Sequence, residues 1–324
     1  MPRKKAPIKT QAETRIQAAA RRGPVSAKEA ARAGVAHPTV PGRWILAAFG
    51  LVVAAAALCA WGTLCLLFWQ GSWQLLYHPS SKITRTPASV GLAFDPVGFD
   101  VTDAGQPLLR GWWIAAAPGA PFSRYMVLYL HGATGNLSDC VEALATLHAA
   151  GVNVFAFDYR GYGESRFVHP SEKHWREDAD SALAYLESTR QIPPSAILLE
   201  GVGLGGNLAL ETGASHPELG GVVLDLPLEA PMDAVFGDPR AELVPSHLLV
   251  RDRYEMEKPV KRLRIPSLWF AAAGTGAGKV PAMYSGVGAS KMLVWLADGP
   301  GREKEYAEAL ARWLADLPAQ AAGR

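Results

Sequence analysis

Residues 196–206 read Ala196-Ile197-Leu198-Leu199-Glu200-Gly201-Val202-Gly203-Leu204-Gly205-Gly206, and a helix-like stretch, 207–214, follows at once. A short apolar run that ends in a glycine-rich turn and opens a helix reads as a strand–turn–helix unit. Two further turns of this kind lie upstream. His131-Gly132-Ala133-Thr134-Gly135-Asn136 follows the run Val127-Leu128-Tyr129-Leu130, and Asp158-Tyr159-Arg160-Gly161-Tyr162-Gly163-Glu164-Ser165 follows Val154-Phe155-Ala156-Phe157. In a doubly wound sheet, sites are built on turns at the carboxyl ends of strands.

Working outward, apolar strand-like runs occupy 109–116, 125–130, 152–157, 196–199, 221–224, 267–273 and 292–297. Helix-like stretches fill 137–150, 171–190 and 207–214, and 302–317 carries a Tyr306, Leu310, Trp313, Leu314 stripe. Strands that are apolar throughout and alternate with helices predict a mostly parallel sheet covered on both faces. No internal repeat interrupts the pattern.

The chain has 324 residues, 49% hydrophobic and 19% charged, which excludes a disordered or low-complexity polymer. Three cysteines, two of them in one apolar run, support neither a disulfide scaffold nor a metal site. The net charge of +2 hides an asymmetry: residues 1–43 hold ten Lys/Arg against Glu13 and Glu29, a balance of +8, which leaves −6 for the remainder. The basic charge therefore sits in one terminal arm, and no nucleic-acid partner is expected of the folded part.

From Trp44 to Gln70 there is no charged residue, and residues 45–68 give 24 consecutive apolar or small positions. At 1.5 Å per residue that is about 36 Å, enough to cross a hydrocarbon core of about 30 Å. Trp44 at one end, and Trp69 and Trp73 at the other, fit interfacial aromatic belts, and Arg43 closes the basic side. The run is too long and too far from the amino terminus for a cleavable signal peptide, so an uncleaved single-pass anchor is expected. The chain thus divides into a basic, mostly disordered arm (1–43), a transmembrane helix (44–70) and an α/β domain (71–324). The positive-inside bias places the arm in the cytoplasm and the domain on the opposite face, periplasmic in a bacterium. The arm could also clamp anionic headgroups.

The three turns, in this order and spacing, resemble the α/β-hydrolase superfamily, most closely its single-pass, membrane-anchored serine hydrolases. The resemblance runs from Gln74-Leu75-Leu76-Tyr77-His78-Pro79 to the final helix and takes in Arg251-Asp252-Arg253-Tyr254 and Arg264-Ile265-Pro266. It implies an α/β-hydrolase fold, preceded here by the transmembrane helix, and a carboxylic-ester or peptide hydrolase chemistry. In such enzymes a G-x-S-x-G elbow presents the nucleophile, with an acid and a histidine following in chain order. Here the serine position is Gly203. The counterpart of the acid segment is Gly274-Thr275-Gly276-Ala277-Gly278-Lys279-Val280-Pro281, with Ala277 at the acid position, and the histidine position falls on Gly301 or Pro300.

A test independent of alignment agrees: residues 265–297 contain no Asp or Glu, and no histidine occurs in the 77 residues after His247. Without imidazole no general base remains to activate a substitute hydroxyl. Glycine at 203 would also relieve a backbone strain worth about 1–3 kcal/mol in other residues. The resemblance further implies an oxyanion-hole-like pair of backbone N–H groups at Ala133 and Leu204, with His131, Gly132, Asp158, Arg160, Gly201 and Gly205 as structural members of the turns, Asp158 and Arg160 as an ion pair.

The expectation is a catalytically degenerate binding or scaffolding module taking an acyl or lipid ligand or a protein partner, with no cofactor and no metal. The alternative is an active serine hydrolase using a relocated nucleophile such as Ser138 or Ser285 with an earlier histidine. A lesser alternative is dinucleotide binding, because Gly201-Val202-Gly203-Leu204-Gly205-Gly206 is also a literal G-x-G-x-x-G and Asp225 ends the next strand. The phosphate-loop pattern fails at Ala273 and Val280.

Overall fold

The computed structural model describes residues 40–273, 280–297, 299 and 301–317. The chain divides into two compact units, 1–60 and 61–324. In the first, the described residues 42–60 are helical and exposed. They begin helix α1 (Gly42–Gly71), which has 30 residues and is long and apolar enough to cross a membrane. In the second unit, the last turns of α1 pack against the domain: Phe68 is buried, and Trp61 Nε1 donates to the Leu243 carbonyl at 3.1 Å.

The main sheet of the domain has eight strands among the described residues: β1 (Asp95–Val101), β2 (Pro107–Ile114), β3 (Met126–Leu130), β4 (Asn153–Asp158), β5 (Ile197–Val202), β6 (Gly221–Asp225), β7 (Ser267–Ala272) and β8 (Lys291–Leu296). They lie in the order β8-β7-β6-β5-β3-β4-β2-β1. Strand β2 is antiparallel to both neighbours and every other pairing is parallel. Strands β3, β5 and β6 are almost wholly buried, as their unbroken apolar runs require of strands covered on two faces. The sequence reading gave no strand at 95–101. β1 is an edge strand containing Pro96 and Gly98, only Phe99 is fully buried, and it lacks the apolar density that marks the inner strands.

Four longer helices cover the sheet: α2 (Val141–Ala149), α3 (Glu172–Ala184), α4 (Leu204–Ser215) and α5 (Arg302–Asp316). The stretch predicted as one helix over 137–150 opens with a 3₁₀ turn, Leu137–Cys140, capped by Asn136, whose side-chain oxygen accepts from Ser138 N while its own N–H donates to Asp139. The stretch over 171–190 ends α3 at Ala184 and continues as a π-turn, Tyr185–Thr189. The sheet separates two apolar layers. Leu128, Phe155, Leu199 and Leu224 face α3 and α4, while Val127, Val154, Leu198 and Val223 face α2 and α5.

Residues 227–264 hold only short helices, among them Asp233–Phe236, Ser246–Leu249 and Glu257–Arg262. This segment is tied to the chain leaving α1. Tyr77 Oη donates to Asp252 Oδ2 at 2.7 Å and lies 2.9 Å from Tyr254 Oη. Asp252 Oδ1 also accepts from Glu172 N. Two stretches far apart in sequence, 74–79 and 251–254, thus form one buried latch.

Candidate functional site

The turn between β5 and α4 has the geometry of a nucleophile elbow. Gly203 adopts φ 55°, ψ −121°, a region that side-chain-bearing residues enter only under strain. Its N–H donates to the Asp225 carbonyl at 2.9 Å, and its own carbonyl accepts from Gly206 N at 2.9 Å. The neighbours are glycine for another reason. A Cβ at Gly201 would overlap the Gly205 carbonyl, and one at Gly205 would overlap the carbonyls of Leu130 and His131. These contacts let strand and helix meet closely. At Gly203 itself nothing lies within 4 Å of where a Cβ would stand, so that position opens into free space.

That space is a cavity of about 970 Å³, at the large end of ordinary small-molecule sites. Gly132, Ala133, Gly203 and Leu204 all line it, so the structure brings the first and third turns together at one wall.

The second turn is the foundation of the site rather than part of its surface. His131 is buried, its Nδ1 2.8 Å from the Gly132 carbonyl and its Nε2 3.5 Å from Asp158 Oδ1. Burial pushes its pKa down to about 4, so it stays a neutral ring among Tyr159, Tyr162 and Trp175. Asp158 accepts from Leu137 N at 2.9 Å, and burial pushes its carboxyl up to about 7. The expected Asp158–Arg160 ion pair does not form. Arg160 turns toward α3 and bonds through Nε to Asp178 and through Nη2 to Glu177 at 2.8 Å. Its backbone N–H also donates to Asp178 Oδ2 at 2.8 Å. Residues 158 and 160 thus have different partners, the Leu137 N–H and α3, and the chain then turns through Gly161 and Gly163, both with positive φ.

Other sequence-derived positions fall as follows. Gly301 precedes the first turn of α5, its carbonyl accepting from Glu305 N. Ala277 and Pro300 lie outside the described residues. Ser138 is buried and its hydroxyl accepts from Thr84 N at 2.9 Å, and Ser285 is exposed at the end of Val280–Ser285; neither is among the residues lining the cavity. Among the described residues no group of three or more His, Cys, Asp or Glu side chains is arranged to hold a metal ion.

The sequence reading missed Glu200, Tyr129 and Arg302 and took Asp225 and Tyr306 for other roles; all five line the cavity. Tyr129 and Glu200 are register partners on β3 and β5, and Asp225 lies one layer nearer the turns on β6, opposite Val202. Tyr306 of α5 donates to Glu200 Oε1 at 2.6 Å and stacks on Phe270 at 4.4 Å. Glu200 is 2% exposed, and its Oε2 has no hydrogen-bond partner among the described residues. Burial pushes its carboxyl up to about 8, opposed by the Tyr306 hydroxyl and reinforced by Asp225. Asp225 is likewise raised by burial, against the pull of Arg302 at 3.3 Å. The signal was available in the sequence: a single carboxylate inside an otherwise uncharged strand, Ile197-Leu198-Leu199-Glu200-Gly201-Val202.

Comparison with known proteins agrees with this geometry. Residues 122–270 match the serine aminopeptidase S33 family of hydrolases. An uncharacterized protein of Mycobacterium tuberculosis is 30% identical over 236 residues, 72% of this chain and 79% of that one. The chain belongs to the α/β-hydrolase superfamily. An uncharacterized protein of Salmonella typhimurium is 35% identical over 136 residues, and the matched segment spans 41% of this chain and 44% of that relative. The mouse α/β hydrolase domain-containing protein 17C is 34% identical over 122 residues, 37% of this chain and 38% of that protein. Among solved structures, a Pyrococcus furiosus esterase superposes over 74% of this chain and 99% of its own, with TM-score 0.55 at 17% identity. A Vibrio vulnificus α/β hydrolase gives TM-score 0.53 over 70% of this chain and 82% of its own at 22% identity. These two are similar in fold.

Proposed function

We propose that this superfamily member is a membrane-anchored, non-catalytic binding or scaffolding module that keeps the hydrolase pocket without its serine chemistry. The observation that carries the reading is Gly203. The elbow conformation is retained at φ 55°, ψ −121°, while the residue at its apex has no side chain to attack a substrate. Three further facts support it. No histidine follows His247, and no Asp or Glu lies between residues 265 and 297. The buried His131 ring has both nitrogens turned to protein groups, Nδ1 to the Gly132 carbonyl and Nε2 toward Asp158, and it is not among the residues lining the cavity. The thiol that lines the cavity, Cys140, is pushed up to about 12 by burial, which keeps it protonated and a poor nucleophile.

What survives is recognition. Backbone N–H groups at Ala133 and Leu204 need no particular side chain, and both residues line the cavity. An acyl or lipid ligand, or a segment of a protein partner, is the class of occupant this wall suits. The apolar helix α1 would hold the domain at a bilayer, with the basic arm on the cytoplasmic side.

Fluorophosphonate labelling of the full chain in detergent tests the reading. The expected result is no labelled band. A band that one Ser→Ala substitution abolishes would establish a relocated nucleophile and overturn it. Saturable quenching of tryptophan fluorescence by NADH would instead favour a dinucleotide site at Gly201–Gly206.

A further inference from the structure

The cavity floor presents a buried carboxyl group with one oxygen held by the protein and the other held by nothing among the described residues. Glu200 Oε1 takes the Tyr306 hydroxyl at 2.6 Å, while Oε2 is enclosed and without a partner. A buried polar atom left in this state costs about 1–3 kcal/mol, and the great majority of such atoms are paired. The groups around it have one dominant sign. Asp225 acts on Glu200 directly, and Glu229, Asp233 and Glu303 also line the cavity, against the guanidinium of Arg302. Arg302 is held against Asp225 rather than Glu200. The walls close to Glu200 are aromatic: Tyr129 is its register partner, and Tyr306 is stacked on Phe270.

We infer that the cavity is a site for an organic cation, a primary alkylammonium group that pairs with Glu200 beside Asp225, the Oε2 atom turning out of its enclosure to meet it, with its apolar body in the cavity. An ammonium carries three donors and no acceptor, so it can satisfy Oε2, which a carboxylate ligand, itself acceptor-only, cannot. Clefts of one charge sign with apolar walls concentrate ions of the opposite sign. Aromatic faces next to the carboxyls add cation–π attraction. The inference rests on the non-catalytic reading only in using the same cavity.

Calorimetric titration of the full chain in lipid nanodiscs with n-butylammonium tests it, with n-butanol, n-butyrate and protein-free nanodiscs as controls. Saturable binding of n-butylammonium alone is expected. Glu200→Gln keeps an acceptor for Tyr306 but removes the charge, and should weaken binding about tenfold or more, the loss of one charge-assisted contact. The wild type should bind more tightly at pH 8.5 than at pH 6.5, because the cation takes Glu200 in its ionised form while alkylammonium stays charged across that range. Asp225, Arg302, Tyr129 and Tyr306 are the other ionisable groups facing it, and the two tyrosines are held well above their ordinary values. Equal binding of n-butanol, tighter binding of n-butyrate, or no heat with n-butylammonium at either pH would each overturn the inference without recourse to a variant. Fluorophosphonate labelling reports on the non-catalytic reading alone, so the two can fail separately.

Discussion

Two carboxylates are buried on opposite faces of the same sheet, and the protein treats them differently. Asp178 on α3 has both oxygens used, one by Arg160 Nε and the other by the Arg160 backbone N–H. Glu200 on β5 has one oxygen used by Tyr306 and one left without a partner. The first arrangement locks a turn to a helix. The second leaves bonding capacity at the bottom of a cavity, and the difference separates groups kept for the fold from groups available to a ligand.

The largest expected effect comes from breaking the saturated side. Asp178→Ala leaves the Arg160 backbone N–H and Nε without their acceptor, the guanidinium keeping Glu177 and the His174 carbonyl, and should lower unfolding free energy by about 3 kcal/mol, measured by chemical denaturation of the detergent-solubilised chain. A loss below about 1 kcal/mol would mean that the pair is not part of the foundation of the site.

Gly203→Ser comes next. It restores a hydroxyl to the elbow but places a side chain at positive φ, so a loss of about 1–3 kcal/mol is expected, with no hydrolysis of p-nitrophenyl esters. Recovered turnover would reveal a base that the geometry around Gly203 does not display.

Glu200→Gln should change stability least, leaving it unaltered or raising it by about 1 kcal/mol at pH 8, because a buried, half-satisfied carboxyl is replaced by a neutral isostere. Its pH dependence sharpens the comparison. The folded-state pKa of Glu200 lies near 8, above the ordinary 4.5, so the native state holds a proton that the unfolded chain releases. Stability is therefore lost as pH rises from about 4.5 through 8. Asp158, raised to about 7, acts in the same sense, whereas the lowered pKa of His131 removes stability as pH falls from 6.5 toward 4. A denaturation series should accordingly decline from pH 6.5 to 8.5 in the wild type and decline less in Glu200→Gln.

Much of the fold was legible because its inner strands are buried on both faces and so consist of unbroken apolar runs. The three glycine-containing turns were legible because close approach and positive φ demand glycine. What sequence did not yield was partnership. Arg160 lies two residues from Asp158 yet pairs with Asp178 on α3, a partner that residue order does not display. Tyr306 and Glu200 are 106 residues apart, and Tyr306 reads as one more member of an apolar helix stripe until the helix is seated on the sheet. The edge strand β1 was hidden because half-exposed strands with proline and glycine resemble loops.

The latch of Tyr77, Asp252 and Tyr254 has a mechanical consequence. The chain leaving α1 does not hang from the sheet edge but is fastened, within a few residues, to the segment over the cavity. A pull on the chain entering at residue 77 reaches this junction of phenol hydroxyls and a carboxylate before it reaches the eight-stranded sheet, whose first strand begins at Asp95.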